Sequence, residues 1–252
     1  RSQEDMDFAR VTVEFGETTQ DFHLGRASVA VPGNIHGLWR LAQDYARLPW
    51  PAVLEPAIKL ARNGVLLEPF QAQTCALLEP LYTNTAEMRD IFYREGRMIE
   101  AGEMLCIPDL ADTLTLLAEQ GEELARTGAL ALALVADQRT NRGLLTPTDL
   151  INYQVQKLSS IHIPYREFEV LLPPPSSSGG VLTAFSLKLL SAFQVRGLKH
   201  NQVAHLQLLY EVMAATTRAR PVWEKSSAIM PLPEAIGRFL DDDFVGRYVK
   251  EV

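Results

Sequence analysis

Residues Leu171–Gly180 read LLPPPSSSGG, and this run sets a strand, a turn and a helix in order. The prolines fix φ and offer no amide donor, so a strand arriving through Glu167–Leu172 must stop here. Ser176, Ser177 and Ser178 supply oxygens able to cap the free N–H groups of a following helix. Gly179 and Gly180 allow close backbone approach. Downstream, Leu182, Phe185, Leu189 and Ala192 recur at helical spacing, and Gly197 is placed to end that helix. Upstream, Ser160–Ile163 and Glu167–Leu172 predict two strands joined at Pro164–Arg166.

Outward from this junction the chain is mostly helical. Val11–Phe15 alternates as a half-buried strand does. Helices are predicted over 34–46, with Leu38, Leu41 and Tyr45 inward, and over 51–62, with Val53, Ala57 and Leu60 inward and Gly64 closing it. The stretch 69–94 is helix-like with unclear breaks. Pro108–Gln120 is an amphipathic helix closed by Gly121, and a second helix is expected over 122–137, where Gly128–Ala136 reads as a buried segment. Thr146 and Pro147 start a short helix as N-cap and N1 residues. A long helix over 202–218 should bury Val203, Leu206, Tyr210 and Met213 and stop at Pro221. Two more are expected near 233–240 and 244–250. Strands and helices do not alternate regularly, so the class is α+β and helix-rich, in one domain with a soft internal boundary near 141–146.

Composition narrows the function. The chain has 252 residues, 47% hydrophobic and 22% charged, with a net charge of −7. A negative chain with scattered Lys and Arg is a poor partner for nucleic acid. No apolar run approaches the ~20 residues of a membrane span. Cys75 and Cys106 read as two free, mostly buried thiols and define no compartment. The start, RSQEDMDF, carries no secretory pattern and reads as the middle of a longer polypeptide.

Chemistry-bearing motifs are scarce. There is no GxGxxG, Walker loop, GxSxG, HExxH or CxxC, and the five histidines lack metal-ligand spacing. His200 and His205, five apart, would lie about 140° apart around a helix. A nucleophilic Ser176, Ser177 or Ser178 needs a base, and no histidine near in sequence supplies one. The serines otherwise read as a helix cap and close-packing turn, or as the wall of a site completed by another segment. His23 reads as structural or pocket-facing, Asp241–Asp243 as a helix terminus or a cation site, and Trp39, Trp50 and Trp223 as packing residues.

Five segments, in order, resemble the γ-glutamyltranspeptidase family, which includes related acylases. Pro173–Gly180 resembles its PPPSSGG signature, Ala30–Gly37 (AVPGNIHG) its A-V-P-G-x-x-x-G, and Leu48–Gly64 (LPWPAVLEPAIKLARNG) its LPW…PAI helix. Leu144–Tyr153 (LLTPTDLINY) is similar to its I-T-x-x-D-L-x-x-Y, and Phe15–Gly33 looks like a bacterial subfamily. Arg220–Leu232 departs from the family pattern, and Asp242, Asp243 and Phe244 keep only its end, at longer spacing.

The resemblance implies the αββα sandwich of N-terminal-nucleophile hydrolases and a precursor that cleaves itself into two subunits. The new N-terminal threonine of the small subunit would be the nucleophile and its α-amine the base. The oxyanion glycines and substrate-gripping serines would also lie there. An arginine for the substrate α-carboxylate would precede this region, and Arg1, Arg10 and Arg26 carry no motif that gives them its role. The chain is thus expected to be the central and C-terminal part of the large subunit, inactive alone, with no catalytic, cofactor-binding or metal-binding residue. Its partner would be the small subunit and its substrate a γ-glutamyl amide such as glutathione. Ser177, Ser178, Gly179 and Gly180 are the candidate pocket wall. A cephalosporin-type or other acylase, or a non-catalytic scaffold, are the alternatives.

Overall fold

A computed structural model describes residues 5–252, which divide into two compact units, up to Val155 and from Gln156 onward. This division falls after the Asn141–Thr146 segment, because α9 below still packs on the helices before it.

The first unit opens with a hairpin, β1 (Ala9–Glu14) and β2 (Thr19–Leu24), paired antiparallel from Ala9↔Leu24 to Glu14↔Thr19. Val13 is buried, whereas Phe15 lies in the turn. Helices α1 (Asn34–Tyr45) and α2 (Trp50–Asn63) follow, and Gly64, at φ 84°, ends α2 as expected. The helix-like stretch resolves into β3 (Val65–Leu66), α3 (Pro69–Leu77), α4 (Glu79–Tyr82), α5 (Ala86–Phe92) and the small hairpin β4 (Tyr93–Arg94) and β5 (Arg97–Met98). Strand β6 (Met104–Leu105) returns to pair with β3. Helix α6 (Pro108–Gln120) packs along α2.

The single helix expected over 122–137 is instead α7 (Glu123–Arg126) and α8 (Ala129–Thr140). With no side-chain cap at its start and Gly128 in its middle, the segment breaks at Thr127–Gly128. Leu132 on α8 is exposed, so that segment is buried on one side only, through Ala131 and Val135. Helix α9 (Pro147–Asn152) starts as its sequence predicts. Thr146 Oγ1 accepts from the Asp149 amide, and Asp149 accepts in return from the Thr146 amide.

The second unit begins with the hairpin β7 (Ile161–Tyr165) and β8 (Phe168–Leu172), in register from Ile161↔Leu172 to Tyr165↔Phe168. Helix α10 (Ser178–Ser191) packs on β7 and on α11 (Val203–Ile229). It ends at Ser191; Gly197 instead closes a separate 3-10 turn, Val195–Gly197. Helices α12 (Leu232–Phe239) and α13 (Asp242–Val249) complete the unit. Ile161, Ile163, Val181, Phe185, Leu189, Val212, Trp223 and Phe239 form its core, with the Phe185 and Phe239 rings stacked 4.8 Å apart.

Pro221 does not stop α11, which runs 27 residues through it. Ala219 and Trp223, on either side, are both buried in the core, and that packing holds the helix across the missing hydrogen bond. The amphipathic faces also differ from expectation. Leu38, Leu41 and Tyr45 on α1, Val53, Ala57 and Leu60 on α2, and Val203, Leu206, Tyr210 and Met213 on α11 are exposed. Periodicity marks a face to be covered but does not say what covers it.

Candidate functional site

The turn that decides the fold is built on Gly180. A side chain there would overlap the Pro173 carbonyl oxygen, so the start of α10 lies directly on the proline run. Val181, Ala184, Phe185 and Leu189 bury behind it. Ser176, Ser177, Ser178 and Gly179 face solvent. Ser177 holds the N-cap position without a side-chain hydrogen bond, so the expected serine cap is not made. Among the described residues no base lies within hydrogen-bond distance of these three hydroxyls. The first turn of α10 therefore leaves its amides unoccupied by side chains, a partial positive charge beside an open turn.

A second polar site lies in the first unit. His36 of α1 is fully buried and its Nδ1 donates to Glu122 Oε2 at 2.8 Å. Arg126 of α7 donates to the same carboxylate oxygen at 3.0 Å and to the carbonyls of Ile151 and Tyr153 at 2.9 and 3.0 Å. Burial raises the Glu122 pKa, but the hydrogen bonds from His36 and Arg126 outweigh it and hold the carboxyl below its ordinary value. The Tyr153 hydroxyl sits where a side chain on Gly33 would go. Thus AVPGNIHG and LLTPTDLINY, far apart in sequence, meet at Gly33 and Tyr153. Beside them opens a cleft of about 690 Å³, which Trp39, Arg40 and Gln154 also line. Among the described residues that line it there is no Ser, Thr or Cys.

The remaining candidates have structural roles. His23 is exposed and stacks on Phe8 at 4.8 Å. Asp241 caps α13 by accepting from the amides of Asp243 and Phe244, and Asp242 pairs with Lys188 at 2.7 Å. Arg10 pairs with Asp21 and Arg26 with Asp137 and Asp7, while Arg1 lies outside the described residues. Trp39 meets Trp50 edge-on at 5.2 Å, and Trp223 is buried. Cys75 and Cys106 are both free, the first buried and the second half-buried. His200 precedes α11 instead of lying on it, so its ring reaches within 5.5 Å of the His205 ring. Among the described residues no three His, Cys, Asp or Glu side chains gather to hold a metal, and no helix is long and apolar enough to cross a membrane.

Sequence reasoning missed two arrangements, the His36, Glu122 and Arg126 cluster above and a second in the hairpin of β7 and β8. Ser160 Oγ lies 3.0 Å from His162 Nε2, and His162 Nδ1 lies 3.0 Å from Glu169 Oε1. The Ser-x-His spacing on a strand was its only local signal; Glu169 joins through hairpin register.

The sequence profile described as Gamma-glutamyltranspeptidase matches residues 6–252. The chain belongs to that family. Among relatives of this γ-glutamyltranspeptidase-family chain, glutathione hydrolase 3 of Arabidopsis thaliana is 31% identical over 197 residues, 78% of this chain and 31% of the relative. The acylase ACY 1 proenzyme of Pseudomonas sp. (strain V22) is 30% identical over 224 residues, 86% of this chain and 39% of the relative. The crystal structure of Helicobacter pylori gamma-glutamyltranspeptidase superposes with a TM-score of 0.79 at 22% identity, covering 90% of this chain and 64% of that one. The α+β, helix-rich fold of the γ-glutamyltranspeptidase-family chain is therefore the fold of N-terminal-nucleophile hydrolases, in their large-subunit region. It spans about a third of the length of these two curated relatives.

Proposed function

We propose that this chain is the large-subunit portion of a γ-glutamyl transferase/hydrolase. The complete protein would cleave a γ-glutamyl amide such as glutathione through an acyl-enzyme and pass the acyl group to water or an amine. The family match across residues 6–252 carries this reading. The nucleophile is an N-terminal threonine outside these 252 residues, its hydroxyl proton taken by its own α-amine. Ser177, Ser178, Gly179 and Gly180 form a wall of the pocket; the solvent-facing hydroxyls without a base suit a wall and not a reacting group. The small subunit of the same precursor is the partner, and the apolar stripe Val203, Leu206, Tyr210 and Met213 is surface offered to it.

The test is activity against a γ-glutamyl chromogenic substrate. The 252-residue chain alone should release no leaving group, and the self-processed protein should lose turnover when the first residue of its small subunit is changed from threonine to alanine. Turnover by the chain alone would overturn the reading. The ACY 1 relative, matched over 86% of this chain, favours an acylase as the second reading. A panel of γ-glutamyl and cephalosporin-type acyl substrates separates the two.

A further inference from the structure

We propose that Ser160 is a second activated hydroxyl of this protein, a nucleophile that His162 deprotonates and Glu169 positions, able to accept an acyl group from a small ester. The proposal is separate from the threonine chemistry above and does not rest on it.

Strand alternation and register assemble the three groups. Ile161 and Ile163 are buried in the core, so His162 points to the opposite face of β7, and Ser160, the residue just before the strand, lies beside it. The pairing Pro164↔Glu169 puts Glu169 on that same face, one diagonal step from His162. The carboxylate accepts Nδ1–H at 3.0 Å, which fixes the tautomer and leaves the Nε2 lone pair facing Ser160 Oγ, also at 3.0 Å. Base and orienting group are thus both in hydrogen-bond reach, which is what a hydroxyl nucleophile requires. Leu171, directly opposite His162 and exposed, offers an apolar surface to a short acyl chain.

The reaction balances with an ester and water. Ser160 Oγ attacks the ester carbonyl carbon and its proton passes to His162 Nε2. The bond from that carbon to the alcohol oxygen then breaks, and the alcohol leaves with the proton. Water attacks the acyl-serine, gives a proton through Nε2, and releases the acid with Ser160 restored.

An alkyl fluorophosphonate tests this on the intact processed protein: an Oγ–P bond forms, P–F breaks, and fluoride leaves. Peptide mapping resolves each site, including any N-terminal threonine. Ser176, Ser177 and Ser178, exposed hydroxyls without a base, are internal references. Ser160 should be labelled at least about tenfold faster than these, given the usual contribution of a positioned base. His162→Ala should remove that advantage, added imidazole should restore part of it, and Glu169→Asp should keep more of it than Glu169→Gln. Hydrolysis of p-nitrophenyl acetate should fall in Ser160→Ala, and the part of the rate lost there should follow the same order in the His162 and Glu169 variants. Labelling of Ser160 no faster than of the reference serines, or unaffected by His162→Ala with helical circular dichroism intact, overturns the proposal.

Discussion

At Gly180 there is no room for a single carbon atom, and at Gly179, its neighbour, there is plenty. A side chain on Gly180 would meet the Pro173 carbonyl, a backbone group that cannot rotate away. At Gly179 the nearest atom to a new Cβ would be Ser177 Oγ, 3.7 Å off. Gly180→Ala should therefore cost about 2–3 kcal/mol by urea unfolding, as overpacking does. Gly179→Ala, in the first turn of α10, should stabilise by about 0.4–1 kcal/mol by reducing the freedom of the unfolded chain. Equal effects at the two positions would show that the proline run and the helix do not touch as described.

Elements were legible in the sequence where local chemistry decides them. Thr146, Pro147 and Asp149 announce α9 by themselves, and Thr146→Ala should cost about 1 kcal/mol, measured by chemical denaturation. Pro108 and Gly121 likewise bracket α6. The reading failed where distant packing decides. A proline inside a helix costs about 3 kcal/mol, yet Ala219 and Trp223 hold α11 through Pro221 because both sink into the same core. Strand β2, TQDFHL, has too little apolar alternation to declare itself and exists because β1 pairs with it. The candidate wall at Ser177–Gly180 was visible as a motif. The cluster of His36, Glu122 and Arg126 and the chain from Ser160 to Glu169 were not, since each joins residues that only tertiary contacts or strand register bring together.

At the scale of the whole molecule, the described residues bury two core clusters yet leave helical stripes of Leu, Val, Tyr and Met uncovered, with Val203 79% and Tyr210 68% exposed. Contiguous apolar surface of this kind drives association. The chain alone should bind a hydrophobic dye and self-associate in sedimentation. Leu206→Glu with Met213→Glu should weaken both while changing stability by no more than about 0.5 kcal/mol per site, as exposed substitutions do. A monodisperse, dye-silent chain would contradict the surface described. Helix α11 adds a mechanical consequence, because its 27 residues make a rod about 40 Å long. Its far half is locked into the core at Ala215, Ala219 and Trp223, so the azimuth of the bare stripe is set before anything arrives. A grip that twisted the Val203 end would transmit torque along the shaft to Trp223 and the ring of Phe239 beside it.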